Sequence, residues 1–168
     1  MFEIKTKRLV LKRPDKSINK KLFASLVGEW DIAKWLSDVP YPYTEKHAEK
    51  FIKRASPDDL RFSVFYDGIL VGGVGVSYEA NNELDIGYWI AKDYWGYGFA
   101  TEASLGLINY VRNETDFKVI TACYIKGNKA SAKVLKKLGF IVIGECEQYF
   151  LSRKETIDCV DLILDLDR

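Results

Sequence analysis

The sequence is poor in cysteine, and its cysteines are not spaced for cross-linking or for metal binding. Cys123, Cys146 and Cys159 are odd in number and contain no C-x-x-C pair, which disfavours a disulfide framework and a zinc knuckle. Free cysteines are usually buried in protein interiors. We therefore expect three buried, reduced thiols and no metal site.

An excess of charge of one sign is also absent. The 25 basic and 24 acidic residues give a net charge of +1, so no strong overall field draws the protein to nucleic acid or to an anionic membrane. We expect no direct nucleic-acid binding, and partners chosen by local features. As for assembly, we expect a monomer or a homodimer.

No hydrophobic run is long enough to cross a bilayer. The longest notable uncharged stretch, residues 68–78, is short and interrupted by glycines, and the N-terminal residues contain no apolar signal core. The sequence therefore predicts a cytoplasmic protein that is not inserted in a membrane.

Apolar and aromatic residues, by contrast, are plentiful. They make up 48% and 14% of the 168 residues, which is enough for one buried core. No linker, internal repeat or low-complexity segment divides the chain. We therefore expect residues 1–168 to form a single domain.

The residue spacing predicts a mixed α/β order. Period-two patterns predict seven strands, near 6–12, 61–67, 69–78, 83–90 and 118–125 and in two final segments, the last around 160–166. Helical spacing predicts helices, from a cap at Asp15 or Ser17 to Val27, from Thr44 through Ala55 to Pro57, at 103–111 and at 128–137. The pair Asp67-Gly68 predicts a hairpin turn. The order implies one central sheet with helices packed against it.

A turn of small residues separates the strand predicted at 83–90 from the helix that follows. Gly96, Gly98 and Ala100 occupy alternate positions there. Such a turn exposes backbone N–H groups at the positive end of the helix dipole, which favours anion binding. It is not a dinucleotide fingerprint, because Thr101 stands where the third glycine would be, and the chain has no G-K-[ST] motif. The pattern predicts a site for a phosphorylated cofactor.

The residues around this turn resemble a known family. Residues 86–90 (Ile-Gly-Tyr-Trp-Ile) and 94–103 (Tyr-Trp-Gly-Tyr-Gly-Phe-Ala-Thr-Glu-Ala) are similar to the acetyl-CoA loop of the GNAT N-acetyltransferases, in their RimJ/RimL-like branch. Residues 6–14 and 128–140 resemble that branch's opening strand and closing helix. The resemblance implies the GNAT fold, a mostly antiparallel sheet of about seven strands flanked by helices, and acetyl transfer from acetyl-CoA to a primary amine.

The resemblance also implies how acetyl-CoA binds. Trp95 stands where the family usually has Gln or Arg, and the loop amides would bind the pyrophosphate; the residues concerned are Gly96, Tyr97, Gly98, Phe99, Ala100 and Thr101. Backbone groups at Trp89, Ile90 and Ala91 would pair with the pantetheine arm.

Asn128 and Ser131 lie one helical turn apart and so share a face. The resemblance implies that Asn128 contacts the pantetheine arm and that Ser131 protonates the departing CoA thiolate; a plain helix cap is the alternative for Asn128. Other GNAT branches use a tyrosine as the acid, at the position of Leu135 in this chain.

The general base is left open between several carboxylates and water. A lysine amine, with a pKa of about 10.4, costs roughly 4–5 kcal/mol to deprotonate at pH 7, whereas an α-amine near 8 costs about 1 kcal/mol. Glu83 is the first candidate, Asp85 and Glu147 are alternatives, and a solvated carboxylate is an equal reading of each. His47, the single histidine, is expected to be an ordinary surface residue.

The acceptor amine is not determined by these motifs. A protein N-terminal α-amine, such as that of a ribosomal protein, is the leading expectation; a polyamine, an aminoglycoside or a non-catalytic acyl-CoA-binding module are the alternatives. The N-terminal part is rich in rings that we expect to pack as core or lid, or else to wall the acceptor pocket: Trp30, Trp35, Tyr41 and Tyr43.

Overall fold

The computed structural model describes residues 2–54, 60–79 and 83–167, and within these ranges eight strands form one sheet. The strands are β1 (Glu3–Lys5), β2 (Leu9–Lys12), β3 (Arg61–Tyr66), β4 (Ile69–Glu79), β5 (Glu83–Ile90), β6 (Val119–Ile125), β7 (Ile141–Phe150) and β8 (Glu155–Asp165). Their spatial order is β1-β2-β3-β4-β5-β6-β8-β7. Neighbouring strands are antiparallel except β5 and β6, which run parallel. The predicted mixed, mostly antiparallel sheet is confirmed.

Helices cover both faces of this sheet. They are α1 (Lys20–Val27), α2 (Trp30–Ala33), α3 (Glu45–Lys53), α4 (Phe99–Glu114) and α5 (Lys129–Lys137), with a 3₁₀ turn at Lys92–Tyr94. No helix among the described residues is both long enough and apolar enough to cross a membrane.

The N-terminal prediction was wrong in one respect, because residues 3–12 form two strands rather than one. The N–H of Thr6 donates to the carbonyl of Leu9, and its side-chain oxygen accepts from the N–H of Leu9, both at 3.0 Å. This turn folds β1 back on β2, and the sheet gains an eighth strand. Alternation alone cannot reveal the reversal, because it reports which side chains share a face and not the direction in which a strand runs.

Two helix starts differ in outcome. The predicted cap of α1 at Asp15 or Ser17 was wrong: Asn19 accepts from the N–H of Leu22 at 3.0 Å, and Asp15 instead accepts from the N–H of Ser17 at 2.8 Å. The predicted cap of α3 at Thr44 is confirmed. The end predicted for that helix, at Ala55 and Pro57, lies outside the described residues.

The β3–β4 hairpin turns where the sequence predicted. Asp67 and Gly68 have φ angles of 47° and 77°, the left-handed conformation that a tight two-residue turn requires. The hairpin continues into β5, so three consecutive strands form an antiparallel unit that leads directly to the glycine turn.

The main core lies between the sheet and α4. It contains buried side chains of β5, β6 and β8 together with the inner face of α4, including Leu84, Ile120, Leu162 and Leu107. We call the opposite side of the sheet the α1 face: there Trp89 packs edge-on against Phe23 of α1, with ring centroids 5.6 Å apart. Because side chains alternate along a strand, Asp85 and Gly87 also lie on the α1 face.

Candidate active site

The parallel strands β5 and β6 are paired at one end only. Their register consists of Leu84 with Ile120 and Asp85 with Thr121. Beyond this point β5 continues along β4, while β6 continues along β8. We call the resulting gap, between residues 87–90 and 122–125, the fork. An extended ligand can enter the sheet here because no strand in the described part of the chain pairs with this stretch of β5 on the side opposite β4.

The ladder between β4 and β5 determines which backbone groups face the fork. The N–H of Ala91 donates to the carbonyl of Val71 at 2.8 Å. Since hydrogen-bonded residues alternate along an antiparallel pair, Trp89 and Ala91 direct their backbone groups toward β4, and Tyr88 and Ile90 direct theirs toward the fork. The pantetheine contacts at Trp89, Ile90 and Ala91 stay a prediction, and of these three residues only Ile90 directs its backbone groups toward the fork.

Trp95 links the end of β5 to the glycine turn. Its indole N–H donates to the carbonyl of Ile90 at 2.7 Å, and the ring is 47% exposed. The carbonyl of Ile90, which faces the fork, is therefore already hydrogen-bonded within the protein. The N–H of Ile90 and both backbone groups of Tyr88 lie at the open edge of β5. The side chain that stands in the Gln/Arg position thus braces the start of the loop.

The glycine turn opens α4 as the sequence predicted. Gly96 and Gly98 have φ angles of 82° and 80°, and Gly98 is the N-cap residue of the 16-residue helix. The first intrahelical bond runs from the N–H of Glu102 to the carbonyl of Gly98. Helix geometry consequently leaves the N–H groups of the first turn, from Phe99 to Thr101, without intrahelical acceptors. Together with the helix dipole they form a strong potential anion site.

Arg8 supports this turn and was not singled out by the sequence patterns. Its guanidinium donates to the carbonyl of Tyr97 at 2.9 Å and to Glu102 at 2.7 Å, and it lies over the ring of Phe99. Glu102 also accepts from the hydroxyl of Thr6 at 2.6 Å. Burial raises the pKa of Glu102, but these hydrogen bonds outweigh it, so the net pKa lies below its usual range. The ion pair anchors the loop to the turn between β1 and β2.

At the fork, α5 brings Ser131 next to a tyrosine. Asn128 caps α5 by accepting from the N–H of Ser131 at 3.1 Å, so the alternative of a capping role holds, and its amide N–H₂ is not engaged by the cap. The hydroxyls of Ser131 and Tyr88 are 2.9 Å apart. Burial raises the pKa of Tyr88 to about 12, against the lowering effect of Ser131. A tyrosine hydroxyl from β5 therefore lies beside Ser131, although Leu135 itself carries none.

Among the carboxylates, Asp85 is best placed at the fork. Glu83, the first candidate, is the first residue of β5 and is paired with Glu79. It lies two residues before Asp85 and therefore farther from the fork. Glu147 is exposed and pairs with Asp158, and its side chain points away from the α1 face because neighbouring Cys146 contacts Cys123 there. The structure therefore favours Asp85 over both.

The environment of Asp85 perturbs its acidity. Burial raises its pKa to about 6, with further upward contributions from Glu79 and Asp161, although the hydroxyl of Thr121 donates to it at 3.0 Å and lowers the pKa. A carboxylate with a pKa near 6 is mostly ionised at pH 7 and is still basic enough to accept a proton, which is the property required of a general base.

The N-terminal rings separate into two groups. Trp35 packs against the cluster of Ile125 and Phe150, and Tyr43 packs in the α1–α3 layer, so both belong to core packing. Trp30 and Tyr41 are 42% and 44% exposed and stack edge-on with centroids 4.9 Å apart.

Two further side chains of this region have structural roles. Lys92 in the 3₁₀ turn binds Asp31 of α2 at 2.7 Å, which fixes the exposed ring pair next to the loop. His47 is half-buried, and its Nδ1 accepts from the N–H of Thr44 at 2.9 Å, so it serves the helix cap.

The cysteines do not favour covalent catalysis. Burial raises the pKa of the Cys123 thiol, and it raises that of Cys146 to about 11. At neutral pH both are thus protonated and poorly nucleophilic. Direct attack by the amine needs no enzyme nucleophile and agrees with this environment.

Comparison with known proteins agrees with this geometry. Residues 8–141 match the model of the acetyltransferase (GNAT) domain. A relative in Bacillus subtilis (strain 168), provisionally named ribosomal N-acetyltransferase YdaF, is 30% identical over 122 residues, which cover 68% of this chain and 67% of the relative.

Solved structures share the fold at low sequence identity. The ribosomal-protein-S5-alanine acetyltransferase of Vibrio fischeri superposes with a TM-score of 0.83 at 19% identity and covers 99% of this chain and 98% of its own. RimL, a ribosomal L7/L12 α-N-protein acetyltransferase solved with coenzyme A, gives 0.81 at 17% identity and covers 99% of both chains. Family match, relative and fold agree with one another, and the chain belongs to the GNAT acetyltransferases, in their RimJ/RimL-like branch.

Proposed function

We propose that this protein acetylates the α-amine of a protein N-terminus, with acetyl-CoA bound in the fork and Asp85 as the general base. GNAT acetyltransferases use acetyl-CoA as the acetyl donor. The choice of a protein N-terminal α-amine as the acceptor goes beyond this family assignment. It is supported by the relatives named as ribosomal-protein acetyltransferases and, above all, by the chemistry of Asp85.

The pKa of Asp85 is matched to an α-amine better than to a lysine. With the base near 6 and an α-amine near 8, proton transfer is uphill by about two units, or about 3 kcal/mol. For a lysine amine near 10.4 the gap exceeds four units, or about 6 kcal/mol. Asp85 can therefore assist an α-amine at neutral pH, whereas a lysine or a polyamine would need a stronger base.

The fork offers acetyl-CoA complementary groups along its whole length. Its diphosphate would lie against the free N–H groups at the start of α4, within reach of Arg8. The pantetheine amides would pair with the backbone groups of Tyr88 and Ile90 as an added strand does. This path directs the thioester toward the closed end of the fork, where Asp85 lies.

The acceptor would approach from the α1 face. Gly87 is exposed there, and nothing lies within 4 Å of the position that a Cβ would take. The amine nitrogen attacks the thioester carbon, the C–S bond breaks, and Asp85 takes the proton that the nitrogen loses. Ser131, hydrogen-bonded to Tyr88, would protonate the thiolate of CoA. Proximity and orientation can supply much of the acceleration in such a ternary complex.

The test is an acceptor panel followed by release of the CoA thiol. It compares a peptide with a free N-terminus and no lysine, the same peptide with a blocked N-terminus and one lysine, a polyamine and an aminoglycoside. We expect CoA release only with the free N-terminus, and a fall in kcat/KM below pH 6 as Asp85 becomes protonated. Turnover with the small amines alone would instead support a small-molecule acetyltransferase, and no turnover with bound acetyl-CoA would support a non-catalytic module.

A further inference from the structure

Three potential metal ligands converge on the α1 face from three strands. Cys123 on β6 and Cys146 on β7 have their sulfurs 3.9 Å apart, and the thiol of Cys146 donates to the carboxylate of Asp161 on β8 at 3.0 Å. The three ligand atoms all lie within 4.8 Å of one another, and each residue is half-buried. The sequence expectation of three buried thiols thus holds only for Cys159. Spacing along the chain could not reveal this cluster, because β8 intervenes between the two cysteine strands.

The geometry fits a shared cation better than a disulfide. Since β8 separates β6 from β7, the two cysteine Cα atoms are on the order of 9–10 Å apart, beyond the limit of about 7 Å for a disulfide. Two thiolates bound to one tetrahedral Zn²⁺ at about 2.3 Å have their sulfurs about 3.8 Å apart. The separation of 3.9 Å already agrees with that value.

We propose that Cys123, Cys146 and Asp161 form an exchangeable site for one soft divalent cation of the Zn²⁺ class. On binding, each thiol releases its proton to solvent and coordinates as a thiolate, while the carboxylate supplies one oxygen. Thiolates select Zn²⁺ over Mg²⁺ and Ca²⁺. The fourth position is taken by water or by the side-chain oxygen of Gln148, which accepts from Cys123 at 3.4 Å. Three protein ligands at half-buried positions leave the ion accessible for exchange.

The site adjoins the proposed general base. Cys123 is the next residue after Thr121 on the α1 face of β6, and Thr121 is hydrogen-bonded to Asp85. Replacing two thiol protons by one divalent ion leaves the net charge of the site unchanged, so the proposal concerns metal binding itself and does not rest on the proposed function.

The experiment measures metal uptake by the full chain. The protein is first freed of metal with a chelator and is then kept under a reductant that does not bind zinc. Native mass spectrometry with ZnCl₂ is expected to show one Zn²⁺ per chain, and Zn²⁺ is expected to protect Cys123 and Cys146 from alkylation. Cys146→Ser lowers the affinity at least about tenfold. Asp158→Asn, an exposed carboxylate on the opposite face of β8, is the control and keeps wild-type affinity.

Two results would overturn the site. The first is a wild-type chain that takes up no Zn²⁺ at micromolar metal and whose thiols are not protected, a readout that depends on no variant. The second is a folded Cys146→Ser chain, checked by circular dichroism, that binds Zn²⁺ as tightly as wild type.

The uptake measurement needs no acetyl transfer, so it tests the metal site independently of the proposed function.

Discussion

Asp85 lies where three influences on a carboxyl group meet. Burial and two neighbouring acids disfavour its charge, and a single hydroxyl donor from Thr121 partly compensates. A charge held in such surroundings costs folding free energy, and active sites are where proteins tolerate that cost. The residue should therefore show opposite effects on activity and on stability.

We expect Asp85→Asn to lower kcat/KM about 10²-fold, as loss of a general base does, while stabilising the fold at pH 8 by about 1–3 kcal/mol. The folded pKa lies above that of the unfolded chain, so the native state keeps a proton between pH 4 and 6 that the unfolded state has lost. Stability thus falls as pH rises through that window, and asparagine removes the loss. Thermal unfolding at pH 8 and pH 4 measures it.

The exposed Asp158→Asn is the control for the Asp85 prediction, with neither effect expected. A melting temperature of Asp85→Asn equal to wild type at both pH values, together with unchanged kcat/KM, would remove Asp85 from the base role.

The hydrogen-bonded hydroxyls of Ser131 and Tyr88 lead to a second prediction about single residues. Ser131→Ala should lower kcat about 10–100-fold, and Tyr88→Phe less, about 3–10-fold, with acetyl-CoA affinity nearly unchanged in both. Because Tyr88 acts through Ser131, the double variant should be no slower than Ser131→Ala alone. Single-turnover rates and calorimetry provide both readouts.

Two outcomes would contradict this assignment of the hydroxyl pair. Additive losses in the double variant would show that Tyr88 acts independently. An unchanged kcat in Ser131→Ala would remove Ser131 from the acid role.

At the scale of elements, the glycine turn depends on backbone conformation more than on space. A Cβ added to Gly96 would meet no atom within 4 Å, yet the φ angle of 82° is one that side-chain-bearing residues rarely adopt. Arg8 and Glu102 then hold the turn against the first turn of α4. The loop is consequently preformed, which favours ligand binding because less conformational entropy is lost.

Gly96 and Gly68 share the same backbone conformation, so a comparison of their alanine variants separates the cost of backbone strain from the loss of ligand binding. Gly68, in the β3–β4 hairpin, has a φ angle of 77° and also has no atom within 4 Å of a Cβ. Gly96→Ala and Gly68→Ala should each cost about 1–2 kcal/mol of stability. Only Gly96→Ala should weaken acetyl-CoA binding, by about tenfold or 1.4 kcal/mol, in a calorimetric titration. Equal affinities in the two variants would show that the turn does not bind the cofactor.

At the scale of the whole molecule, the fork joins two halves of the sheet. One half carries β5 and the glycine turn, and the other carries β6, β8 and β7. The halves share one short parallel register of two residue pairs. A ligand in the fork adds contacts to both halves, so its binding should be visible as global stabilisation.

Acetyl-CoA at 100 times its Kd should stabilise the native state by about 2.7 kcal/mol. For a chain of this size that corresponds to a rise in melting temperature of about 5–10 °C. Gly98→Glu, whose carboxylate would occupy the anion site, should show no rise, and Asp158→Asn should behave as wild type. An equal shift in Gly98→Glu would place the cofactor elsewhere.

Local signals predicted most of the elements and the glycine turn that opens α4. Period-two alternation in 83–90 and the glycines that follow lie within one short segment, and the cap at Thr44 depends on neighbours within one turn. The doubled N-terminal strand was missed because an apolar pattern does not record a reversal of direction. Asn19 was missed because Asp15 and Ser17, equally good caps by type, bind each other instead.

The sequence by itself determined the family, most of the order of elements and the glycine turn that we propose as the acetyl-CoA loop, because helix and strand periodicity, caps and glycine turns depend on residues close together in the chain. Tertiary structure alone decided the fork, the raised pKa of Asp85, the Ser131–Tyr88 pair and the convergence of Cys123 with Cys146. Each of these depends on strand register and on the burial that register creates. Such contacts join residues tens of positions apart, whose meeting no local pattern encodes.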